Sequence, residues 1–542
     1  MTSVPFAPTS GEAGAATDQY PLVESLRAHL ATLHGCAQVE LLETHISFVL
    51  VAGMFAYKLK KAVRLPFLDF STLDRRRYYC EQELRLNRRY APQLYLDVVP
   101  VTGSAANPAL GGAGPAIEYA VRMRSFAQED LASRVLLRGA LMPRHIDALA
   151  ALVAAFHESI ARAGAESPFG TPAVIRQDAL DNIDEIGRLP GAGGAAGGLD
   201  RLRGWTESES ATLTGAFRGR LAGGFVRECH GDLHLDNIAL VDGEITPFDG
   251  IEFNDELRWI DVMNEIAFLL MDLRYRGRPD LASRFLNAWL EHTGDYSGLA
   301  VLRYYVVYRA LVRAKVACLR AAQGHLDESA RAALRGDHAR HLELAQSHLE
   351  PQRPAIVLTH GFSGCGKTTL SQGMLEAIGA VRIRSDIERK RLAGLPATAR
   401  SGSAVAGGLY HEDMNERTYD CLLAGAGAIV AAGAIAVVDA TFLRRRQREP
   451  FRELARQRGV PFAIVSFQSS AADLRARITE RQRRGDGASE ADLAVLEHQM
   501  ATAEALAPDE QPDEIRLDTT GLLPIASERK TWQPLLDKLR AP

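Results

Sequence analysis

The spacing of apolar and polar residues divides the chain into a mixed first half and an alternating second half. In the first half, runs rich in β-branched and aromatic residues predict strands, and a 3.6-residue apolar period predicts helices. Strands are predicted at 39–53, 55–63, 94–101 and 116–126, and helices at 20–35 and 71–90. A Gly/Ala/Pro segment at 103–115 is predicted to be a loop between the last two strands.

From about residue 128 the apolar period is helical, and it remains so to about residue 348. Within this region the stretch 189–200 (LPGAGGAAGGLD) predicts a flexible insertion. Two short apolar runs, at 224–232 and 245–253, predict a return of strands inside the helical region. The first half is therefore predicted to have an α+β fold.

Beyond a Pro-containing break at 350–354 (EPQRP), apolar strands alternate with helices. The strands are predicted at 355–361, 381–386, 434–442 and 461–467. Repeated β-α-β units imply an α/β domain with a parallel sheet. The uncharged run 421–438 approaches the length of a membrane span. It consists mostly of Ala and Gly, however, and is predicted to divide at Gly433 into a helix end and a short strand.

The break at 350–354 sets the predicted domain organisation. At ~150 residues per domain, a chain of 542 residues has room for three or four domains. The pattern itself predicts a flexible tail (1–19), a domain with a strand-rich lobe at 20–126 and a helical lobe at 127–349, and an α/β domain at 350–542.

Composition narrows the class of protein. With 67 acidic and 63 basic residues the net charge is −4, which argues against a protein that coats nucleic acid or an acidic membrane. The six Cys residues are scattered without a C-x-x-C pair, which argues against a zinc ribbon or a disulfide framework. The N-terminal residues have neither a basic start nor an apolar core, so a cytoplasmic location is expected.

Lysine is rare in this chain. Eight of the 63 basic residues are Lys and the other 55 are Arg, an imbalance that a GC-rich genome explains. Lys is then expected to persist where its chemistry differs from that of Arg. Four of the eight, Lys58, Lys60, Lys61 and Lys367, lie in or near two regions with candidate phosphate chemistry.

The most specific motif lies between the first strand and the first helix of the second half. Residues 361–368 (GFSGCGKT) fit the pattern G-x-x-x-x-G-K-[ST]. Glycines let the backbone approach phosphate closely, and a helix N-terminus adds favourable potential. Lys367 is expected to reach the β- and γ-phosphates, and the Thr368 hydroxyl to bind Mg²⁺. The predicted nucleotide-binding residues are Gly361, Phe362, Ser363, Gly364, Cys365, Gly366, Lys367, Thr368 and Thr369.

Two carboxylates follow strands of the second half. Asp439 ends the strand AIAVV, where a second Mg²⁺-organising carboxylate is expected; a turn or cap is the alternative. Asp386 follows the strand VRIR at the ligand-binding edge of a parallel sheet. It can orient or deprotonate an acceptor hydroxyl there, or it can be a helix N-cap. The arginine-rich stretch 474–486 predicts either a helix that folds over ATP or a solvated basic face.

On the motifs GFSGCGKT, RSD and VVDATF, residues 354–540 resemble the AAA-type P-loop ATPases of the small-molecule kinase kind. In such kinases the Asp after the second strand contacts the substrate hydroxyl, and this is the role that the resemblance implies for Asp386. Lys367 and Asp386 are therefore the candidate catalytic residues of this half. A ring-forming ATPase is less expected, because the domain is short and shows no arginine-finger motif.

A second constellation lies in the first half. The loop 230–237 (HGDLHLDN) places Asp232 five residues before Asn237, which is the spacing of a kinase catalytic loop. In that spacing the Asp accepts the proton of the acceptor hydroxyl and the Asn amide oxygen holds Mg²⁺. Twelve residues after Asn237, the tripeptide FDG supplies Asp249 as a further Mg²⁺ ligand.

Candidate partners for the nucleotide lie upstream of that loop. Lys58, on the strand FAYKLKK, is placed to hold the α- and β-phosphates. Its ion-pair partner on the following helix is Glu83 or Glu81. The chain order Lys, Glu, Asp, Asn, Asp is the order that kinase chemistry uses.

With these motifs, residues 20–345 resemble the aminoglycoside phosphotransferase family, whose fold is protein-kinase-like with two lobes. The resemblance implies that Asp232 is the base, that Asn237 and Asp249 are metal ligands, and that Lys58 and Glu83 form the nucleotide pair. The segment EYAVRMRSF at 118–126 lies where the hinge between the lobes belongs, and its backbone can contact adenine.

The sequence departs from the family pattern in two places. No G-x-G-x-x-G loop precedes Lys58, and Lys60 shares its face of the strand and can replace it. Glu252, after the FDG tripeptide, is a possible additional ligand. Supporting roles remain open: His230 is interpreted as a structural brace, His234 has no assigned role, and Asp261 and Glu265 are expected to brace the catalytic loop.

Taken whole, the chain resembles bacterial proteins that join an aminoglycoside-phosphotransferase-like half to an AAA/P-loop half. The expected function is transfer of the γ-phosphate of MgATP to a hydroxyl of a small molecule at two nucleotide sites, with ATP and Mg²⁺ as cofactors. No membrane, nucleic-acid or obligate protein partner is expected. Two alternatives stay open: an ATP-hydrolysing regulatory protein without a phosphoacceptor, and a polynucleotide 5′-hydroxyl kinase in the P-loop half. No motif specifies the acceptor.

Overall fold

The structure is a computed structural model, which describes residues 19–65, 68–189, 196–322, 326–350, 353–396, 412–484, 492–519, 526 and 528–540. The chain divides into two compact units, each made of two stretches of sequence. They are residues 1–275 with 304–349, and residues 276–303 with 350–542. Of the predicted N-terminal tail, residues 1–18 lie outside the described residues.

The strand-rich part of the first unit comes first in the chain. It contains α1 (Tyr20–His34), β1 (Glu40–Glu43), β2 (Ser47–Ala52), β3 (Phe55–Lys60), β4 (Arg64–Leu65), β5 (Leu68–Asp69), α2 (Leu73–Asn87), β6 (Tyr95–Ser104), β7 (Asn107–Leu110) and β8 (Ala116–Arg124). Six of the strands form one antiparallel sheet in the order β1-β2-β3-β8-β6-β7. Apolar residues of α1 pack against one face of this sheet and bury Phe48, Leu50 and Tyr57.

A mainly helical part completes the first unit. Up to residue 275 it contains α3 (Ala132–Leu137), α4 (Pro143–Ser159), α5 (Pro172–Arg188), α6 (Ala196–Thr212), α7 (Thr214–Ala222), β9 (Val226–Glu228), β10 (Ile238–Val241), β11 (Glu244–Pro247), α8 (Asp255–Arg258), β12 (Trp259–Asp261) and α9 (Val262–Tyr275). The strands form two short antiparallel pairs, β10 with β11 and β9 with β12. Twelve consecutive residues of α9, Val262 to Leu273, are buried, so this helix is the centre of the helical part.

The next three helices are α10 (Pro279–Thr293), α11 (Leu299–Ala321) and α12 (Glu328–Ser347). The second unit takes α10 and the start of α11, because its sequence range includes 276–303. From residue 350 onward it contains β13 (Ala355–His360), α13 (Lys367–Ile378), β14 (Val381–Arg384), α14 (Ser385–Leu392), α15 (Glu412–Ala431), β15 (Ile435–Asp439), α16 (Arg445–Arg458), β16 (Phe462–Gln468), α17 (Ala471–Arg484), α18 (Leu493–Thr502), β17 (Glu514–Asp518) and α19 (Gln533–Arg540). Single 3-10 turns occur at Gln128–Asp130, Leu235–Asn237, Tyr296–Gly298, Gln511–Asp513 and Arg529–Trp532.

The second unit is built on a parallel sheet of five strands in the order β14-β15-β13-β16-β17. The central strand β13 is buried along almost its whole length, as expected where helices cover both faces of a parallel sheet. Its core includes Val357, Met374, Val465 and Trp532. The predicted fold class, an α+β kinase-like domain followed by an α/β P-loop domain with a parallel sheet, is confirmed.

Several element predictions differ from the structure. The predicted strand at 39–53 is two strands, because the Thr44 hydroxyl accepts the N–H groups of Ile46 and Ser47 and closes a turn between them. The predicted loop at 103–115 contains β7, which pairs with the end of β6 as a hairpin. Strands β10 and β17 were not predicted at all. In the predicted insertion at 189–200, residues 190–195 lie outside the described residues, and 196–200 begin α6.

The apolar run at 421–438 divides as the sequence predicts. Helix α15 ends at Ala431, Gly433 adopts a left-handed φ of 82°, and β15 begins at Ile435. A Gly is required there because L side chains rarely adopt such a φ. Across the described ranges, no helix combines the length and the apolar character that crossing a membrane requires.

Candidate active sites

The loop 230–237 lies between β9 and β10 of the first unit and brings the predicted base and a predicted metal ligand together. The Asn237 amide donates to the Asp232 carboxylate over 2.7 Å, and also to the Asp232 carbonyl oxygen over 3.1 Å. The His234 Nε2 lies 3.3 Å from the same carboxylate. Asp232 is thus held from two sides by polar groups of its own loop.

Helix α9 holds this loop in place through its backbone. The Glu265 carboxylate accepts the N–H groups of His230 and Gly231, over 2.7 and 2.9 Å. Asp272, two turns later, accepts the N–H of Leu235 over 2.9 Å. Asp272 was missed in the sequence, although its spacing of seven residues from Glu265 places both on one face of the helix.

Asp261 does not have the predicted bracing role. Its carboxylate forms a two-point ion pair with Arg220 of α7, over 2.5 and 2.8 Å, and accepts the N–H of Met263. The prediction was wrong because Asp261 ends β12, before α9 begins, and its side chain meets α7 rather than the loop. Glu265 and Asp272 brace the loop instead.

Asp249 of the FDG tripeptide has a left-handed backbone, with φ of 61°. The Tyr95 hydroxyl accepts its N–H over 3.0 Å and holds this uncommon conformation. The next residue must be Gly, because a Cβ on Gly250 would lie 2.2 Å from the Tyr90 hydroxyl oxygen. Phe126, at the end of the predicted hinge, packs edge-on against Phe248 with ring centroids 5.1 Å apart.

Lys58 contacts the two carboxylates that the sequence assigns to nucleotide and metal. Its Nζ donates to Glu83 over 2.8 Å and to Asp249 over 2.5 Å. Glu83 is fully buried, whereas Glu81 pairs with Arg77 at the surface. The structure therefore brings Lys58, Glu83 and Asp249 together and leaves Glu81 outside the site.

Lys60 forms a second layer behind Lys58. Its Nζ contacts Glu83 and Glu252, and its side chain is 0% exposed, compared with 9% for Lys58. Lys58 is thus the lysine that faces Asp249, whereas Lys60 is buried behind Lys58 and pairs with Glu252. Lys61 points elsewhere and pairs with Glu43 over 2.6 Å.

Burial and charge act against each other in this site. Burial alone would raise the pKa of Glu83, but Lys58 and Lys60 outweigh it and lower the pKa to about 2. Burial likewise opposes ionisation of Asp232, yet His234 and Arg313 hold its pKa below the usual range. Burial lowers the pKa of His230 to about 4, so its ring is neutral at pH 7. Its Nε2 bonds to the Phe248 carbonyl, and its ring stacks on Tyr90.

In the second unit, residues 361–368 form a loop between β13 and α13. Gly361, Gly364 and Gly366 have φ values of 144°, 87° and 87°, which side chains other than Gly rarely adopt. A Cβ on Gly361 would also lie 2.7 Å from the Phe467 carbonyl oxygen. Cys365 is buried in the core and Phe362 packs against it, so both contribute backbone rather than side chain to the loop.

The side chains at the end of this loop meet the end of β15. The Thr368 hydroxyl donates to the Asp439 carboxylate over 3.0 Å, and the other carboxylate oxygen accepts from Thr359 over 3.3 Å. The Lys367 Nζ donates to the carbonyl oxygens of Gly361 and Phe362, each over 2.8 Å. Asp439 is 5% exposed and faces the loop, which is unlike a surface turn or cap.

A cavity of about 990 Å³ extends from this loop to the acidic residue after β14. Lys367, Thr368, Asp386 and Asp439 all line it. Asp386 lies in the first turn of α14, whose N-cap is Arg384, so the N-cap alternative for Asp386 is not what the structure shows. The Asp386 carboxylate accepts from Arg389 over 3.4 Å.

The arginine-rich stretch 474–486 was predicted to be either a helix that folds over ATP or a solvated basic face, and its arginines differ in their surroundings. Arg477 lines the cavity and donates to the Thr519 hydroxyl over 3.1 Å. Arg475 is exposed and pairs with Glu497 over 2.9 Å. Residues 485 and 486 lie outside the described residues.

Two contacts of this site had no signal in the sequence. The Gln499 amide of α18 accepts the Ser363 N–H over 2.9 Å and donates to the Ser363 hydroxyl over 3.0 Å. Arg384, the last residue of β14, places its Nε 3.9 Å from the Asp439 carboxylate. An isolated Gln on a helix and one Arg among 55 carry no motif that would identify them.

Comparison with known proteins finds a family match within the second unit and a relative that spans most of the chain. Residues 356–506 match the protein family described as AAA domain. Over 433 residues the chain is 31% identical to the uncharacterized protein Rv2004c of Mycobacterium tuberculosis (strain ATCC 25618 / H37Rv), covering 80% of this chain and 84% of that protein.

Two solved structures are similar to parts of the chain. The amicoumacin kinase hAmiN, in complex with AMP-PNP, Ca²⁺ and Ami, is 14% identical with a TM-score of 0.37, covering 60% of this chain and 96% of its own. A sugar kinase from Janibacter sp. HTCC2649 is 22% identical with a TM-score of 0.26, covering 35% of this chain and 100% of its own. Neither similarity specifies an activity for this chain.

Proposed function

The chain belongs to the same protein family as Rv2004c of Mycobacterium tuberculosis, and within that family we propose that it is an ATP-dependent phosphotransferase. It has two nucleotide sites, one in each unit, and transfers the γ-phosphate of MgATP to a hydroxyl of a small molecule. The second unit carries the AAA-domain match and a complete phosphate loop, which support nucleotide binding there.

In the first unit, Asp232 accepts the proton of the acceptor hydroxyl. Its low pKa keeps it ionised at pH 7 and therefore ready to take part in this hydrogen bond. Lys58, oriented by Glu83, holds the α- and β-phosphates. Asn237 and Asp249 offer oxygen ligands of the kind that Mg²⁺ prefers, and the metal would neutralise charge on the β- and γ-phosphates.

In the second unit, the backbone N–H groups of the loop 361–368 and the Lys367 ammonium hold the phosphates. The Thr368 hydroxyl and the Asp439 carboxylate, already 3.0 Å apart, are hard oxygen donors suited to Mg²⁺. Asp386 lines the same cavity and orients or deprotonates an acceptor hydroxyl. The cavity volume of about 990 Å³ is at the upper end of the range for small-molecule sites and leaves room for an acceptor beside a nucleotide.

The observation that carries the proposal is the meeting of Lys58 with Glu83 and Asp249. These residues are 25 and 191 positions from Lys58 in the sequence, yet both carboxylates lie within hydrogen-bond distance of its Nζ. A turn-rich hairpin without a catalytic role would not require Lys58, Glu83 and Asp249 to lie together. Kinase chemistry uses the same set to hold the phosphates and the metal.

The experiment is a mass-shift screen of sugars, nucleosides, aminoglycosides and a metabolite extract with ATP, using wild type, Asp232→Asn and Lys367→Ala. We expect Asp232→Asn to lower the turnover of its product by about 10²–10⁴-fold, which is the range for loss of a general base. Asp236→Asn, a change of the same kind in the same loop, is the matched control and should retain activity. If both Asp232→Asn and Lys367→Ala form every product at the wild-type rate, the proposal is wrong.

The same screen separates the other two functions. A regulatory ATPase would release phosphate in proportion to ATP without any phosphorylated acceptor. A polynucleotide kinase would label 5′-hydroxyl ends, and its binding to single strands would weaken steeply with salt. An exposed Lys530→Ala variant, 78% exposed at that side chain, controls for nonspecific loss of a cation.

A further inference from the structure

The P-loop unit includes a helix that lies far from it in sequence. Helix α10 (Pro279–Thr293) precedes the AAA-domain match at 356–506, yet it contacts β14, the edge strand of the parallel sheet. The Asn287 amide donates to the Ala380 carbonyl over 3.0 Å and accepts the Arg382 N–H over 2.7 Å. The Asn287 side chain thus forms hydrogen bonds with backbone groups at the edge of the sheet. In the middle of a sheet, such groups would bond to a neighbouring strand.

One helical turn later, Glu291 reaches two arginines of that strand. One oxygen accepts from the Arg382 Nη2 over 2.8 Å and from its Nε over 3.2 Å. The other oxygen accepts from the Arg384 Nη1 over 3.1 Å. Tyr296, just beyond α10, donates to the Arg382 carbonyl over 3.3 Å and ties the same segment to the strand.

Both arginines also lie next to the proposed metal ligands, although only Arg382 forms a hydrogen bond there. Arg382 donates to the Thr368 carbonyl oxygen over 3.1 Å. Arg384 points its Nε at the Asp439 carboxylate, at a distance of 3.9 Å. Glu291 is therefore separated by a single side chain from each of the two residues proposed to bind Mg²⁺.

Glu291 is the acidic residue that both arginines of this cluster contact. Burial opposes ionisation of Glu291, but Arg382 and Arg384 outweigh it and lower its pKa. Burial also opposes the charge of Arg384, and Glu291, Asp439 and Asp386 together raise its pKa. Without Glu291 the acidic groups beside Arg384 are Asp439 and Asp386, both of which line the cavity. If the Arg384 guanidinium moves onto the Asp439 carboxylate, it competes with Mg²⁺ for the same carboxylate oxygens.

We propose that Glu291 is a positioning residue of the P-loop site, which holds Arg384 away from Asp439 so that Asp439 and Thr368 remain available to Mg²⁺. The proposal deepens, and rests on, the proposed nucleotide site of the second unit. It also makes residues 276–303 a functional part of that site, although they lie outside the sequence match.

The test measures ADP binding as a function of Mg²⁺ concentration in the full-length protein. All variants carry Asp249→Asn, which removes a metal ligand of the first site, so that the Mg²⁺ dependence reports the second. For Glu291→Gln we expect the Mg²⁺ midpoint to rise about tenfold, the size of one lost charged interaction. Glu291→Asp, which keeps the charge, should recover part of this loss.

A matched control lies on the same helix. Arg284 of α10 pairs with Glu376 of α13 over 2.7 Å, so it anchors the helix to the same unit without touching Arg382 or Arg384. Arg284→Gln should also lower thermal stability but leave the Mg²⁺ midpoint within about twofold of the parent. Adding Arg384→Met to Glu291→Gln should return the midpoint toward the parent value, because the competing cation is gone.

Two results would overturn the inference. One is an equal Mg²⁺ midpoint for Glu291→Gln and Arg284→Gln, which would make Glu291 a packing residue only. The other is a further rise in the midpoint when Arg384→Met is added. Failure of the proposed function at the second site has a different signature: Lys367→Ala would then leave every phosphorylated product unchanged, whatever the Mg²⁺ midpoint of Glu291→Gln.

Discussion

The two candidate nucleotide sites are built by opposite means. The site of the first unit consists of side chains from separate segments: Lys58 on β3, Glu83 on α2 and Asp249 after β11, with Lys60 and Glu252 buried behind them. The site of the second unit is the backbone of one loop, 361–368, with Lys367 and Thr368 at its end.

The difference has an energetic consequence. Buried ion pairs bind each other strongly only while every partner is present, and loss of one partner leaves an uncompensated charge. Side-chain changes in the first site are therefore expected to lower both the activity and the free energy of unfolding. In the second site the groups proposed to hold phosphate are backbone N–H groups, so side-chain changes there should affect nucleotide binding more than folding.

The largest expected effect tests whether each site depends on its lysine. Lys58→Arg and Lys367→Arg should each lower kcat of their own site by about 10²–10³-fold, the usual cost of losing one preorganised charge contact. The guanidinium is wider than the ammonium and cannot replace it between Glu83 and Asp249 or at the loop carbonyls. Kinetics of product formation at each site are the measurement, with Lys530→Arg as control. An active Lys58→Arg enzyme would contradict the assignment and shift the role to Lys60.

The next effect separates stability from activity. Lys60→Met leaves Glu83 and Glu252 without their shared cation and should destabilise the first unit by about 3–5 kcal/mol. Lys367→Met should change stability by less than about 1 kcal/mol, because its present partners are backbone carbonyls at a cavity wall. Thermal unfolding of both variants is the measurement. Equal destabilisation would remove the distinction between the two sites.

Lowering the pH is expected to reduce the free energy of unfolding of each unit, by less than the Lys60→Met change does. Burial lowers the pKa of His230 from 6.5 to about 4, and burial with Arg448 and Lys367 lowers that of His360 to about 4. The neutral rings stabilise the fold fully above pH 6.5, and this stabilisation is lost as the pH falls toward 4. Each accounts for up to about 3 kcal/mol of pH dependence. Unfolding from pH 7 to 4 should show a flatter profile in His230→Gln and His360→Gln, but not in the exposed His498→Gln.

The smallest effect concerns the loop backbone itself. Gln499 accepts the Ser363 N–H, a group that a phosphate oxygen would otherwise bind. Gln499→Ala should therefore tighten ATP binding at the second site by about threefold, the size of one net hydrogen bond. Calorimetric titration with ATP measures it, with the exposed Gln533→Ala as control. Weaker binding would mean that Gln499 supports the loop instead of competing for it.

Local motifs predicted much of both sites. The loops 230–237 and 361–368 each carry their chemistry within eight residues, so the spacing alone specifies which atoms come together. Lys58 and Glu83 were predicted from chain order, and the structure places them 2.8 Å apart. The residues that hold the loop 230–237 were only half predicted. Glu265 accepts backbone N–H groups of that loop, whereas Asp261 pairs with Arg220.

What the sequence determined by itself is therefore the set of groups that carry local chemistry: the phosphate loop, the HGDLHLDN loop, the FDG turn and the strand and helix types around them. Only the tertiary structure decided which lysine faces Asp249, which helix covers β14 and which carboxylate restrains Arg384. The physical reason is that an amphipathic helix such as α10 encodes that it has an apolar face, not which surface that face meets. The partners of Glu291 lie 91 and 93 residues away, and no local pattern records them.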